Sequence, residues 1–255
     1  MSYLVSAYTD VGIRKKTNQD SVLIQVAQTS LGDIAFGVMC DGMGGLVKGE
    51  LASATLIQSF AEWFQNEFPE ILRRGFSQQA LFAHWKNLIL TQARKIGDYG
   101  DSQGVSLGTT VAAVLIVQDK YYAVNVGDSR VYQIHENLTQ ITKDQTYVQR
   151  EMDAGRMTAE EANTDLQRNV LLQCVGASDY IEPDFFSGEA RRDDVFMFCS
   201  DGFRHVITPE EIYQYLNPSA LLTEQNMVDN AKYLTDLNKY RMENDNITVG
   251  LIKVC

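Results

Sequence analysis

The chain has 255 residues, 45% hydrophobic and 22% charged, and a formal net charge of -11. At about 100–200 residues per domain this is one large domain or two small ones, and the globular composition excludes disordered, collagenous and coiled-coil classes. An excess of 33 acidic over 22 basic side chains repels polyanions, which excludes nucleic acid and anionic membrane as partners.

Runs rich in β-branched and aromatic residues predict strands over Tyr3 to Tyr8, Ser21 to Ala27 and Ile34 to Cys40. Two helical stripes follow, Ile57-Phe60-Phe64-Phe68 and Phe82-Trp85-Ile89-Ala93-Ile96, with apolar residues recurring at intervals of three and four. Strands are predicted again over Thr109 to Val117, Tyr121 to Val126 and Arg130 to His135. The short gap between the last two leaves no room for a parallel crossover, so antiparallel sheets are expected. Thr158 with Glu161 marks a helix start, as does Thr208-Pro209-Glu210-Glu211, an N-cap with proline and a capping-box glutamate. A strand over Val195 to Cys199, a helix near Val228, Ala231 and Leu234, and a final strand over Ile247 to Val254 complete the pattern. Long runs of strands with helices inserted in pairs argue for an α+β layered sandwich.

With only four prolines, no Gly/Ser/Pro-rich linker and no repeat, residues 1–255 read as one domain. The longest apolar run, Val111 to Val117, is far short of the about 18 residues of a membrane helix. The opening residues lack the pattern of a secretory signal, so a cytoplasmic protein is expected. Cys40, Cys174, Cys199 and Cys255 show no paired spacing, which supports reduced thiols over disulfides or zinc.

Four strand-like runs stop at or beside an aspartate: Cys40-Asp41-Gly42-Met43-Gly44-Gly45, Gly127-Asp128-Ser129-Arg130, Ser200-Asp201-Gly202 and Asp245-Asn246. Asp and Gly are also the commonest turn residues, but sites are built on loops held by strand ends, and four such ends form a pattern. Carboxylates gathered without cations would raise one another's pKa values, so the cluster implies metal ions. His84, His135 and His205 are scattered. All-oxygen ligation then selects Mg²⁺ or Mn²⁺ over zinc or copper. Two such ions can activate water against a phosphoester.

The ordered set Asn18-Gln19-Asp20, Asp41-Gly42-Met43-Gly44-Gly45, Gly108-Thr109-Thr110, Gly127-Asp128-Ser129-Arg130, Ser200-Asp201-Gly202 and Asp245-Asn246 resembles the metal-dependent Ser/Thr protein phosphatases of type 2C in their short bacterial form, from about Thr9 to Val254. The resemblance implies a four-layer α+β sandwich, two stacked antiparallel sheets flanked by pairs of helices on each side. It also implies that Asp41 bridges two metals, Mn²⁺ or Mg²⁺, with the Gly42 carbonyl on one and Asp201 and Asp245 completing the other. Asp128, with Asp201, matches a third, weaker site, Asp20 orients metal-bound water, and Asn246 positions Asp245. The reaction implied is direct attack of metal-activated water on phosphoserine or phosphothreonine, with phosphorylated proteins as partners and a Ser/Thr kinase as the opposing activity. A monomer is expected, since no heptad seam is present.

Other phosphatase chemistries lack their residues. Leu46, Tyr180 and His205 stand six after Cys40, Cys174 and Cys199, so a cysteine nucleophile with its arginine is missing, and no D-x-D motif is present. Three departures from the family pattern stand out. Lys15, with Arg14 beside it, replaces the arginine that grips substrate phosphate, and lysine binds phosphate only as a point charge; either Lys15 serves, or Arg14 does. Met43 stands where animal members carry a histidine, and Gln145 stands where many bacterial relatives have one. Tyr147 to Cys174 matches the mobile flap of bacterial members, or is an ordinary surface insertion. A module that binds phosphoproteins without hydrolysis, and an enzyme acting on small phosphoesters, are the alternatives.

Overall fold

The computed structural model describes residues 1–44 and 48–255. One sheet runs in the order β1 (Tyr3–Asp10), β11 (Ile247–Val254), β10 (Val195–Cys199), β7 (Arg130–Ile134) and β8 (Leu138–Gln140). The second runs β2 (Asp20–Thr29), β3 (Gly32–Gly44), β5 (Val111–Val117), β6 (Lys120–Val126) and β9 (Asp184–Glu189), with β4 (Leu107–Thr109) paired to the end of β3. Every ladder is antiparallel, as the short connections require.

Side-chain alternation along the central strands generates the four layers. Ile34, Phe36, Val38 and Cys40 of β3 face a helical layer of α1 (Gly49–Glu62), α2 (Phe68–Arg73) and α3 (Gln78–Gln103), whereas Ala35 and Met39 face the opposite sheet. On the other side Val195, Met197 and Cys199 of β10 pack on α6 (Asp201–Arg204), α7 (Pro209–Leu216) and α8 (Glu224–Tyr240), while Phe196 and Phe198 point between the sheets. The expected sandwich of two antiparallel sheets between helical layers is therefore the observed one.

The stripe Ile57-Phe60-Phe64-Phe68 does not form one regular helix. A π-helical turn, Trp63–Glu67, joins α1 to α2. Its wider turn lets Phe60, Trp63, Phe64 and Phe68 all become buried around Phe36 and Trp85. The predicted strand Thr109 to Val117 is broken after Thr109, because β4 pairs with Gly42–Gly44 before β5 takes up the main ladder at Met39. β8 and β9 were not predicted: three residues in β8 and a half-exposed Asp184–Glu189 carry little apolar periodicity, and pairing with β7 and β6 makes them strands. The helix starts at Thr158 and Thr208 are present, each with a complete capping box, opening α5 (Ala159–Thr164) and α7. Among the described residues no helix is long and apolar enough to cross a membrane.

Phe198 fills the gap between the sheets by standing over two glycines. A Cβ on Gly250, its ladder partner, would lie 2.2 Å from the ring, and one on Gly37 of the facing sheet 2.5 Å from it. Gly37→Ala and Gly250→Ala should each destabilise the protein by about 1–3 kcal/mol through overpacking, read from the midpoint of urea unfolding; a change below about 0.5 kcal/mol, the size of a surface effect, would contradict this packing.

Candidate active site

The strand ends that carry the aspartates converge at one end of the sandwich. Asp20 opens β2 and pairs directly with Asp41 near the end of β3. In the other sheet, Cys199 at the end of β10 pairs with Val249 of β11 and with Arg130 of β7, so Asp201 is flanked by the segments that hold Asp245 and Asp128. A hydrogen bond of 2.8 Å from Ser200 Oγ to Asp20 Oδ2 joins the two sheets.

Each segment is anchored through its backbone. The Asp41 N–H donates to Thr110 Oγ1 at 3.0 Å, and the Asp41 carbonyl accepts from the Thr110 N–H at 2.9 Å and from Thr109 Oγ1 at 3.0 Å. Gly42 must be glycine: a Cβ there would lie 2.2 Å from the Gly49 carbonyl oxygen, where α1 begins. Arg204 donates to the Asp128 carbonyl at 2.9 Å, and Arg130 grips Asp144 with two bonds of 2.7 Å beneath it. The backbone N–H groups of Asn244 and Asp245 donate to Glu243 Oε1 at 2.6 and 2.9 Å.

The electrostatic consequence is a site starved of positive charge. Burial, then repulsion by Asp20, Asp201, Asp128 and Asp245, pushes Asp41 well above the ordinary carboxylate range. Asp20 rises from 3.8 to about 7 through burial and repulsion by Asp201 and Asp245, against hydrogen bonds from Thr248 and Ser200. Asp128 also rises to about 7, through burial and Asp201, against the attraction of Arg204 and His205. The buried Oδ1 atoms of Asp20 and Asp201 have no hydrogen-bond partner.

These orphaned oxygens, in a mutually repelling all-carboxylate set, fit hard divalent cations. Among the described residues no three His, Cys, Asp or Glu side chains close into a ready-made cage.

Of the sequence-predicted site residues, Asp20, Asp41, Gly42, Asp128, Asp201 and Asp245 are brought together; Gly45 lies outside the described residues. Lys15 joins them, its Nζ 2.9 Å from Asp245 Oδ1. Burial opposes its charge, but the hydrogen bond and attraction of Asp245, with Asp41 and Asp201 beyond, raise its pKa. Arg14 is exposed, with no ion pair among the described residues. Asn246 does more than position Asp245. Its N–H donates to Asp245 Oδ1 at 2.8 Å, while its side chain accepts from the Gln19 N–H at 2.9 Å and donates to the Val11 and Thr17 carbonyls at 2.9 and 3.2 Å. It thereby ties down the loop that presents Lys15.

The sequence assigned no consequence to Gln145, and the structure supplies one. Its Oε1 accepts from the Gly127 N–H, its own N–H donates to the Gly127 carbonyl, both at 2.9 Å, and its Nε2 donates to Asp184 at 2.7 Å. Gln145 thus clamps the turn ahead of Asp128, where Gly127 holds φ at 100°. Arg204, His205 and Glu243 were also missed as parts of the site, since none belongs to a motif.

Comparisons with known proteins agree with this geometry. The family model described as Protein phosphatase 2C matches residues 13–238, a stretch that includes Lys15, Asp20, Asp41, Asp128 and Asp201 and stops before Asp245. A 2C-type protein phosphatase of Streptococcus pyogenes is 31% identical over 251 residues, covering 97% of this chain and 96% of that protein. The crystal structure of the serine/threonine phosphatase Stp1 from Staphylococcus aureus superposes with a TM-score of 0.86 at 27% identity, covering 100% of this chain and 96% of that one. The catalytic domain of the serine/threonine phosphatase PstP, solved with two manganese ions, gives 0.79 at 28% identity and covers 100% of both chains. The chain belongs to the protein phosphatase 2C family and is a metal-dependent Ser/Thr protein phosphatase.

Asp20 and Asp128 hold a proton more tightly in the fold than in the unfolded chain, so stability falls as pH rises from about 3.8, the ordinary value, through about 7. In EDTA the melting temperature should decline across this window. Asp128→Asn should flatten the decline and raise the melting temperature at pH 7.5 by about 2–4 °C for each kcal/mol of repulsion relieved; a slope unchanged by the substitution would remove Asp128 from the repelling set.

Proposed function

We propose that this phosphatase removes phosphate from phosphoserine and phosphothreonine in proteins by direct attack of water at a binuclear Mn²⁺ or Mg²⁺ centre, opposing a bacterial Ser/Thr kinase in the cytoplasm. The observation that carries the reading is the convergence of Asp20, Asp41, Asp128, Asp201 and Asp245 at one end of both sheets, with buried oxygens left unpaired. In this reading Asp41, the Gly42 carbonyl, Asp201 and Asp245 would hold the two ions, Asp41 being shared between them, and Asp128 with Asp201 would hold a third, weaker one. Bound ions supply Lewis acidity, which lowers the pKa of water and neutralises phosphoryl oxygens.

The chain's own groups do the rest. Asp20, held through Oδ2 by Ser200, keeps a buried, unpaired Oδ1 free to orient the attacking water. Lys15, in place of Arg14, faces the phosphoryl group as a point charge. A covalent route through cysteine is opposed by burial, which pushes the Cys199 thiol to about 12 and Cys40 well above its ordinary value. Residues 1–255 act as one catalytic domain, a monomer, and Tyr147 to Cys174, with α4 (Tyr147–Asp153) and α5, form the flap beside the site.

Release of phosphate from a phosphothreonine peptide in Mn²⁺, abolished by EDTA, is the direct test. Asp201→Asn and Asp245→Ala should each lower kcat by about 100-fold or more, the several kcal/mol of charge stabilisation that ions contribute; retention of activity would remove that residue from the metal set. Faster turnover of small phosphoesters than of phosphopeptides would instead favour the small-substrate reading.

Lys15→Ala should raise KM by about 10–150-fold, the worth of one charged hydrogen bond of about 1.5–3 kcal/mol, with Lys15→Arg near the parent and Arg14→Ala unchanged. A KM effect from Arg14→Ala alone would reverse the assignment.

A further inference from the structure

We propose that His205 and Glu243 are a positioning pair that couples the segments carrying Asp201 and Asp245 and so sets how tightly the protein binds its metal ions. The inference rests on the ligand assignment above.

His205 follows α6 directly, one helical turn after Asp201. Its Nε2 lies 3.4 Å from Asp201 Oδ2 and its Nδ1 lies 3.6 Å from Glu243 Oε2, with the imidazole side chain 20% and the Glu243 side chain 8% exposed. The other Glu243 oxygen accepts the N–H groups of Asn244 and Asp245 at 2.6 and 2.9 Å. One imidazole therefore reaches a ligand carboxylate with one nitrogen and, through Glu243, the backbone of a second ligand with the other. Asp201 keeps Oδ1 buried and unpaired, while Oδ2 is the oxygen that faces His205.

The backbone beside Glu243 fixes its direction. Met242, with φ at 65°, closes α8: the Glu243 N–H donates to the Asn238 carbonyl and the Met242 N–H to the Lys239 carbonyl, both at 3.0 Å. This helix end directs Glu243 toward His205 and the Asp245 segment. Arg204, the neighbouring cation, is committed elsewhere, to the Asp128 carbonyl and Asp144, which leaves the His205 imidazole facing Glu243. At 3.4 and 3.6 Å these contacts are longer than good hydrogen bonds. They are suited to steering a carboxylate more than to holding the fold together, and partners of this kind tune metal affinity.

The test measures Mn²⁺ affinity by calorimetry on EDTA-stripped protein, alongside metal-free melting temperature and kcat at saturating Mn²⁺. His205→Ala and Glu243→Ala should each weaken Mn²⁺ binding about 10–100-fold, the usual range for groups that orient ligands, while kcat at saturating Mn²⁺ stays near the parent. His205→Gln, which keeps an amide donor, and Glu243→Gln, which keeps the acceptor for the Asn244 and Asp245 N–H groups, should recover part of the loss and decide the matter should an alanine variant fail to fold. The double alanine variant should be no weaker than the worse single one, because both act along one path. Mn²⁺ affinity within twofold of the parent in the folded single variants, whatever the metal-free melting temperature does, would overturn the proposal. Asp245→Ala separates the two levels: if it too binds Mn²⁺ like the parent, the ligand assignment itself is at fault.

Discussion

Carboxylates crowded at one end of the sandwich repel one another, and much of the local structure can be read as the means by which the chain holds them there regardless. Asp20 and Asp41 are direct ladder partners. Asp201 reaches them from the other sheet through the Ser200 bond to Asp20. Burial and this crowding drive Asp20, Asp41 and Asp128 upward together. The basic side chains placed around them among the described residues are few: Lys15 on Asp245, Arg204 behind Asp128 and the His205 imidazole beside Asp201. Such an arrangement costs stability as long as no positive charge offsets the repulsion.

The anchoring is done mostly by neutral groups and backbone, not by charge. Thr109 and Thr110 hold the Asp41 backbone, Gly42 packs against the start of α1, Gln145 clamps Gly127, and Asn246 ties the Lys15 loop to the Asp245 segment. Neutral partners fix position without adding to or cancelling the negative charge that the ions must meet. Rigid strand ends in two facing sheets supply the rest, since the packing of Phe198 between Gly37 and Gly250 leaves little freedom for one sheet to slide on the other.

The parts legible in the sequence were those whose signal is local. Runs rich in β-branched and aromatic residues marked β3 and β10. The capping boxes at Thr158 and Thr208 form where a Thr stands three residues before a Glu. Aspartates at strand ends marked the site. The parts not legible were those created by pairing partners far along the chain. β8 and β9 are strands because β7 and β6 offer them edges. The π-helical turn at Trp63 answers the shape of the sheet beneath it. Gln145, marked in the sequence only as a departure from the family pattern, acts through Gly127, brought close by the fold.

Composition, strand-rich runs and helical stripes thus determined by themselves that this is an acidic, layered α+β protein, and aspartates at strand ends pointed to hard-oxygen metal chemistry; the type 2C kind came from the resemblance of the ordered motifs. The first of these follow from residue identity and short-range spacing. Only the tertiary structure decided that Lys15, and not Arg14, reaches the carboxylates, that Asn246 serves the loop that presents Lys15 as well as Asp245, and that His205 and Glu243 stand between Asp201 and Asp245. The reason is physical. Which of two adjacent cations points inward, and which buried acid meets which imidazole, depends on angstrom-scale positions of segments up to about the whole chain apart, and no local propensity encodes those positions.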